Sequence, residues 1–122
     1  MKNSAGRSRT ITIYHNTRCS KSRCVLDILR KKKADVKVIE YLKTPPTEKE
    51  LKLILKKLGM HADEIIRKKE PLYAEKFDGK KISESKWIKI LVKNPVLIER
   101  PIVIKSNKAI IARPPEKVNL FL

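Results

Sequence analysis

The chain has 122 residues, 41% of them apolar, which is enough for one compact core, too short for two, and too apolar for wholesale disorder despite 35% charged residues. With 30 Lys and Arg against 13 Asp and Glu, the formal net charge of +17 predicts a positive field that draws anions without choosing among oxyanions, acidic proteins and nucleic acid. Only two cysteines are present, Cys19 and Cys24, which excludes a disulfide-built scaffold, and no apolar run approaches the ~18 residues of a membrane span. The N-terminus has no apolar core of a secretory signal, so the expectation is a cytoplasmic protein in a reducing compartment.

Residues 1–10 are small, polar and basic and read as a flexible tail, leaving 11–122 as a single domain. Ile11 to Tyr14 alternates β-branched and aromatic residues, a strand signal, and His15 to Ser20 is a polar turn. A helix is expected from Lys21, with Val25, Ile28 and Leu29 on one face, ending in Lys31 to Lys33. Val36 to Tyr41 reads as a second strand. Strand, helix and strand within about thirty residues make a βαβ unit, so these two strands should be parallel.

Pro45 and Pro46 break the pattern. Thr47 with Glu50 three residues later is a capping box, and Leu51, Ile54, Leu55 and Leu58 form a helical stripe that stops at Gly59. A short helix is expected over 62–68, and 70–93 reads as helical, anchored by Trp87, Ile88, Leu91 and Val92. Ile102 to Ile104, a turn at Ser106 and Asn107, and Ala109 to Ala112 predict a β-hairpin. Pro114 and Pro115 open a last helix carrying Val118, Leu120, Phe121 and Leu122. The order βαβ, helical insert, ββα is an α/β arrangement on the thioredoxin plan, a small mixed sheet flanked by helices.

Chemistry concentrates at the first strand-to-helix turn. A cysteine at a helix N-terminus faces unpaired backbone N–H groups and the positive end of the helix dipole, both of which favour thiolate. Arg18, Lys21 and Arg23 add positive charge in the sequence around Cys19, and His15 adds more when protonated. Such surroundings lower a cysteine pKa from ~8.5 into the range ~3.5–7.5. The same N–H groups would cradle an oxyanion, so nucleophile and anion site coincide. His15 could instead brace the turn. His61 is expected to be exposed and idle, and the Cys and His spacings match no zinc motif.

The runs Ile13-Tyr14-His15-Asn16, Cys19-Ser20-Lys21-Ser22-Arg23 and Glu40-Tyr41-Leu42-Lys43-Thr44-Pro45-Pro46 resemble the glutaredoxin-coupled arsenate reductase (ArsC-like) family. The resemblance continues through Ile66-Arg67-Lys68-Lys69-Glu70, Leu97-Ile98-Glu99-Arg100-Pro101-Ile102-Val103 and Ala112-Arg113-Pro114-Pro115-Glu116. It implies that Cys19 attacks arsenate held by Arg67, Arg100 and Arg113, with His15 helping to keep the cysteine ionised. It also implies glutathione as co-substrate, glutaredoxin as partner, no bound cofactor, and a cis peptide at Pro101 facing the cysteine. Arginine suits the anion role because it stays charged and offers forked donors to tetrahedral oxyanions.

Cys24 departs from the family pattern. Five helical steps from Cys19 turn its side chain by ~140°, so the two sulfurs do not share a helix face. The expectation is that Cys24 packs beside Ile28; the alternative is a resolving thiol, which would allow thioredoxin as reductant. Two further functions stay open. One is an ArsC-like thiol oxidoreductase acting on another anion. The other is an Spx-type regulator binding RNA polymerase, which the serine at Ser22 and the complete arginine set argue against. Direct nucleic-acid binding has only charge in its favour, with aromatic residues at 5%.

Overall fold

A computed structural model describes residues 9–122. The chain divides into two units. One runs to Thr44 and resumes at Arg100–Leu122; the other is Pro45–Glu99. Most of the basic tail, residues 1–8, lies outside the described residues.

The first unit is built on a four-stranded sheet, β1 (Ile11–His15), β2 (Val36–Glu40), β3 (Ile102–Lys105) and β4 (Lys108–Ile111), in the order β2-β1-β3-β4. β2 runs parallel to β1, with Ile13 opposite Val38, and β3 is antiparallel to it, with Ile13 opposite Val103. The β3–β4 hairpin turns through Ser106 and Asn107, Ser106 adopting φ 55. Helix α1 (Ser20–Lys31) buries Ser22, Val25, Leu26 and Leu29. These pack with Ile11, Ile13, Val103, Ala112, Val118 and Phe121 in one core. Because strand side chains alternate, His15 points to the same face as Ile11 and Ile13 and is 5% exposed. That periodicity carries an imidazole to the end of an apolar row, where α1 begins. The closing segment Pro115–Phe121 is a 3₁₀ helix covering the same core, and it leaves Leu120 and Leu122 exposed, contrary to the expected apolar face.

The second unit holds α2 (Glu48–Leu58), a 3₁₀ turn (Ala62–Ile65), α3 (Pro71–Lys76), α4 (Glu84–Lys93) and a second 3₁₀ turn (Pro95–Leu97). The capping box is formed: the Glu50 N–H donates to Thr47 Oγ1 at 3.1 Å and the Thr47 N–H to Glu50 Oε1 at 2.8 Å. Gly59 ends α2 at φ 68, a left-handed conformation that L side chains resist. Thr47→Ala removes one acceptor of the box and should lower the unfolding free energy by about 1 kcal/mol, readable as a lower denaturant midpoint with unchanged slope.

Two expectations are corrected here. The helix over 62–68 stops at Ile65, because Ile66 forms an antiparallel bridge with Ile98 and the Arg67 N–H donates to the Leu97 carbonyl at 2.7 Å. The helical stretch over 70–93 is two helices. Gly79, at φ 74, turns the chain between them, and Ser83 caps α4 by accepting from the Lys86 N–H. α3 docks on α4 through aromatic contacts, Tyr73 stacked on Trp87 at 6.4 Å and Phe77 tilted against it at 5.6 Å.

Candidate active site

Cys19 is the N-cap residue of α1, with extended backbone (φ −95, ψ 119), while its carbonyl already accepts the Arg23 N–H at 3.0 Å. The loop before it is tightly wound. The Cys19 N–H donates to the Asn16 carbonyl at 3.0 Å, and the Arg18 N–H donates to Asn16 Oδ1 at 2.9 Å. Asparagine favours such turns because its side chain mimics a backbone acceptor. Arg23 ties the loop to the helix by donating to the Thr17 carbonyl at 2.8 Å.

The sulfur occupies the position from which an N-cap side chain normally accepts N–H groups of the first turn. It makes no cap hydrogen bond of strict geometry, yet the thiol is held below its ordinary pKa. Burial, the largest influence, opposes this by favouring the neutral thiol; the Ser22 N–H, the Arg100 guanidinium and the Lys21 N–H together outweigh it. The cation that acts on Cys19 is thus Arg100, brought from the residue before β3, and not the sequence neighbours Arg18, Lys21 and Arg23.

Arg100 and Arg113 each precede a cis-proline, at Pro101 and Pro114. The Ala112 N–H donates to the Pro101 carbonyl at 3.0 Å, and Arg113 Nη1 to the Arg100 carbonyl at 3.3 Å, so the two arginines stand together at one end of the β3–β4 hairpin. Nε and Nη1 of Arg100 are buried and have no hydrogen-bond partner among the described residues. Buried donors left in this way are costly unless something accepts from them.

The surroundings of His15 disfavour its charged form. Burial drives its pKa down, Arg30 and Arg23 push the same way, and Glu40 only partly opposes them. Its Nδ1 is instead 2.5 Å from Ser22 Oγ. Ser22 is 0% exposed and also accepts the Asn16 N–H at 3.1 Å. Ser22 received no role from the sequence, although a signal was there: a serine in register with Val25, Leu26 and Leu29 is a polar group on an apolar helix face.

The other sequence candidates divide. Cys24 is exposed rather than packed beside Ile28, and both cysteines are free. Arg67 belongs to the second unit. There its Nη1 pairs with Glu70 Oε2 at 2.8 Å and donates to the Val96 carbonyl at 3.3 Å, and its Nε lies 4.0 Å from Glu99 Oε1. His61 is largely exposed beside Glu84. No three His, Cys, Asp or Glu side chains among the described residues are grouped as metal ligands, and no helix among them is long and apolar enough to cross a membrane.

A thiol held below its ordinary pKa, at the first strand-to-helix turn of a thioredoxin-like fold and faced by arginine, is in keeping with an oxidoreductase. The chain belongs to the ArsC family, whose model matches residues 14–121. It is 40% identical to the arsenate reductase of Neisseria meningitidis over 92% of this chain and 97% of that protein. It is 45% identical to YfgD of Escherichia coli K12, a protein with no activity in its name, over 91% of this chain and 95% of the relative. The arsenate reductase of Vibrio cholerae superposes on it with a TM-score of 0.89 at 38% identity, covering 95% of this chain and all of the other.

Proposed function

We propose that this protein is a cytoplasmic, thiol-dependent arsenate reductase with Cys19 as nucleophile. The observation that carries the reading is the buried Arg100 guanidinium, which acts on the Cys19 sulfur while two of its donors, Nε and Nη1, have no partner among the described residues. A tetrahedral oxyanion against the sulfur would accept from those donors and from the first-turn N–H groups. Arg113, standing beside Arg100, adds a second guanidinium.

The Cys19 thiolate attacks arsenic(V), a sulfur–arsenic bond forms as an arsenic–oxygen bond breaks, and the departing oxygen takes up protons to leave as water. Glutathione then attacks the arsenylated site, and glutaredoxin completes the reduction. Overall, two thiols give up two electrons and become one disulfide, while arsenic(V) leaves as arsenite. The shape of the anion site alone does not name arsenic. The named activity of the relatives supports that choice over an ArsC-like oxidoreductase of another anion.

Arsenate-dependent NADPH oxidation, coupled through glutathione, glutathione reductase and glutaredoxin, tests the proposal directly; no turnover by correctly folded protein would reject it. Cys24 faces solvent and has no part in this scheme. Cys24→Ser should therefore leave kcat/KM within about twofold in that assay, surface substitutions away from a site being near neutral. Loss of turnover only when thioredoxin and its reductase replace the glutathione system would instead make Cys24 a resolving thiol.

A further inference from the structure

Ser22 Oγ joins three segments: the end of β1 through His15 Nδ1, the following loop through the Asn16 N–H, and the first turn of α1, to which Ser22 itself belongs. A hydroxyl has one proton to donate and two lone pairs. The Asn16 N–H takes one lone pair, so the arrangement that satisfies the rest is Ser22 donating its proton to an unprotonated His15 Nδ1. His15 then carries its proton on Nε2. Both groups are buried on the face shared by the Ile11–Ile13 row and the Val25–Leu29 stripe.

We propose that Ser22 is the positioning residue of this site: its hydroxyl locks a neutral His15 and the Asn16 amide to the first turn of α1, and so aims the Lys21 and Ser22 N–H groups at the Cys19 sulfur. His15 acts on the nucleophile through Ser22 and not as a cation. The proposal rests on Cys19 being the reactive thiol, but not on arsenate being its substrate.

The charged groups around the pair fit a neutral imidazole. Arg30 and Arg23, both on α1, disfavour its protonation, and Glu40 at the end of β2 opposes them. Around the sulfur, Arg100 comes from the segment before β3, with Arg113 held against the Arg100 carbonyl. The Ser22 bridge comes from α1 and the Arg100 charge from the segment before β3, so they are separate influences on one thiolate.

The test is a thiolate titration of Cys19 in a Cys24→Ser background, read by absorbance at 240 nm and by the pH dependence of alkylation with iodoacetamide. Ser22→Ala should raise the midpoint by about one unit, so that the thiolate fraction falls about tenfold at a pH below both midpoints. His15→Ala added to Ser22→Ala should give little further shift, because the second residue acts through the first. Ser22→Thr, which keeps the hydroxyl, should restore the midpoint. NMR of the imidazole nitrogens should show the neutral Nε2–H form at pH 7. A folded Ser22→Ala protein with an unmoved midpoint would overturn the proposal, as would fully additive shifts in the double variant or an imidazolium at pH 7. Arsenate turnover is not used as a readout, so failure of the reductase reading leaves a separate signature.

Discussion

Cys19→Ser is expected to abolish arsenate-dependent thiol oxidation, lowering kcat/KM by on the order of 10⁴-fold or more, because no other described thiol stands at the anion site. The fold should survive, since serine is a natural N-cap residue and accepts first-turn N–H groups at least as well as sulfur. Far-UV circular dichroism and the denaturant midpoint check that point. In the wild type, the lowered thiol pKa fixes the sign of the acid limb. The thiolate is present above the lowered value and is lost as pH falls through it, so kcat/KM should fall on the acid side at a pH below the ordinary thiol value of 9.0. A Cys19→Ser protein that still reduces arsenate would remove the central claim.

The second large effect belongs to Arg100. Its guanidinium both stabilises the thiolate and carries the unused donors, so Arg100→Ala removes two contributions at once. A loss of about 10²–10³ in kcat/KM is expected, the magnitude found when one preorganised donor to a reacting anion is deleted. The Cys19 titration midpoint should rise in the same variant. Arg100→Lys keeps the charge but loses the planar fork, and should recover the midpoint more fully than the turnover. Equal recovery of both would reduce Arg100 to a source of charge alone. Loss of turnover with an unmoved midpoint would confine it to substrate binding.

The sequence disclosed the elements whose signals are local. The alternation of Ile11 and Ile13, the βαβ spacing and the Thr47–Glu50 box all depend on residues within a few positions of one another, and each is formed. The 62–68 stretch was misread because its ending is decided 32 positions further along the chain, where Ile98 bridges Ile66. Helical propensity over Ile66 to Lys69 carries no trace of that partner.

The candidate site divides along the same line. Cys19 stood out at a strand-to-helix turn, whereas Arg100 and Arg113 were named only through the family resemblance. The source of the charge on Cys19 was not legible, since Arg100 lies 81 positions from it in sequence and reaches it only through the β1–β3 pairing. Proximity in sequence pointed to Arg18, Lys21 and Arg23 instead. His15 was expected either to add charge when protonated or to brace the turn; burial beneath α1 lowers its pKa and disfavours the charged form. Cys24 was misplaced by its nearness to Ile28, which is itself only half-buried at the margin of the stripe.

Cationic charge is heaviest on the unit that carries Cys19, where the acids among the described residues are Asp27, Asp35, Glu40 and Glu116. A field of that kind gathers every small anion near the thiolate, and guanidinium forks hold phosphate as readily as arsenate, the two being alike in shape and charge. Discrimination therefore falls to the bond-making step. Phosphate can occupy the place of the substrate, but a thiol does not reduce phosphorus(V), so it departs unchanged. For a reductase of the proposed kind, fidelity would come from redox chemistry after capture.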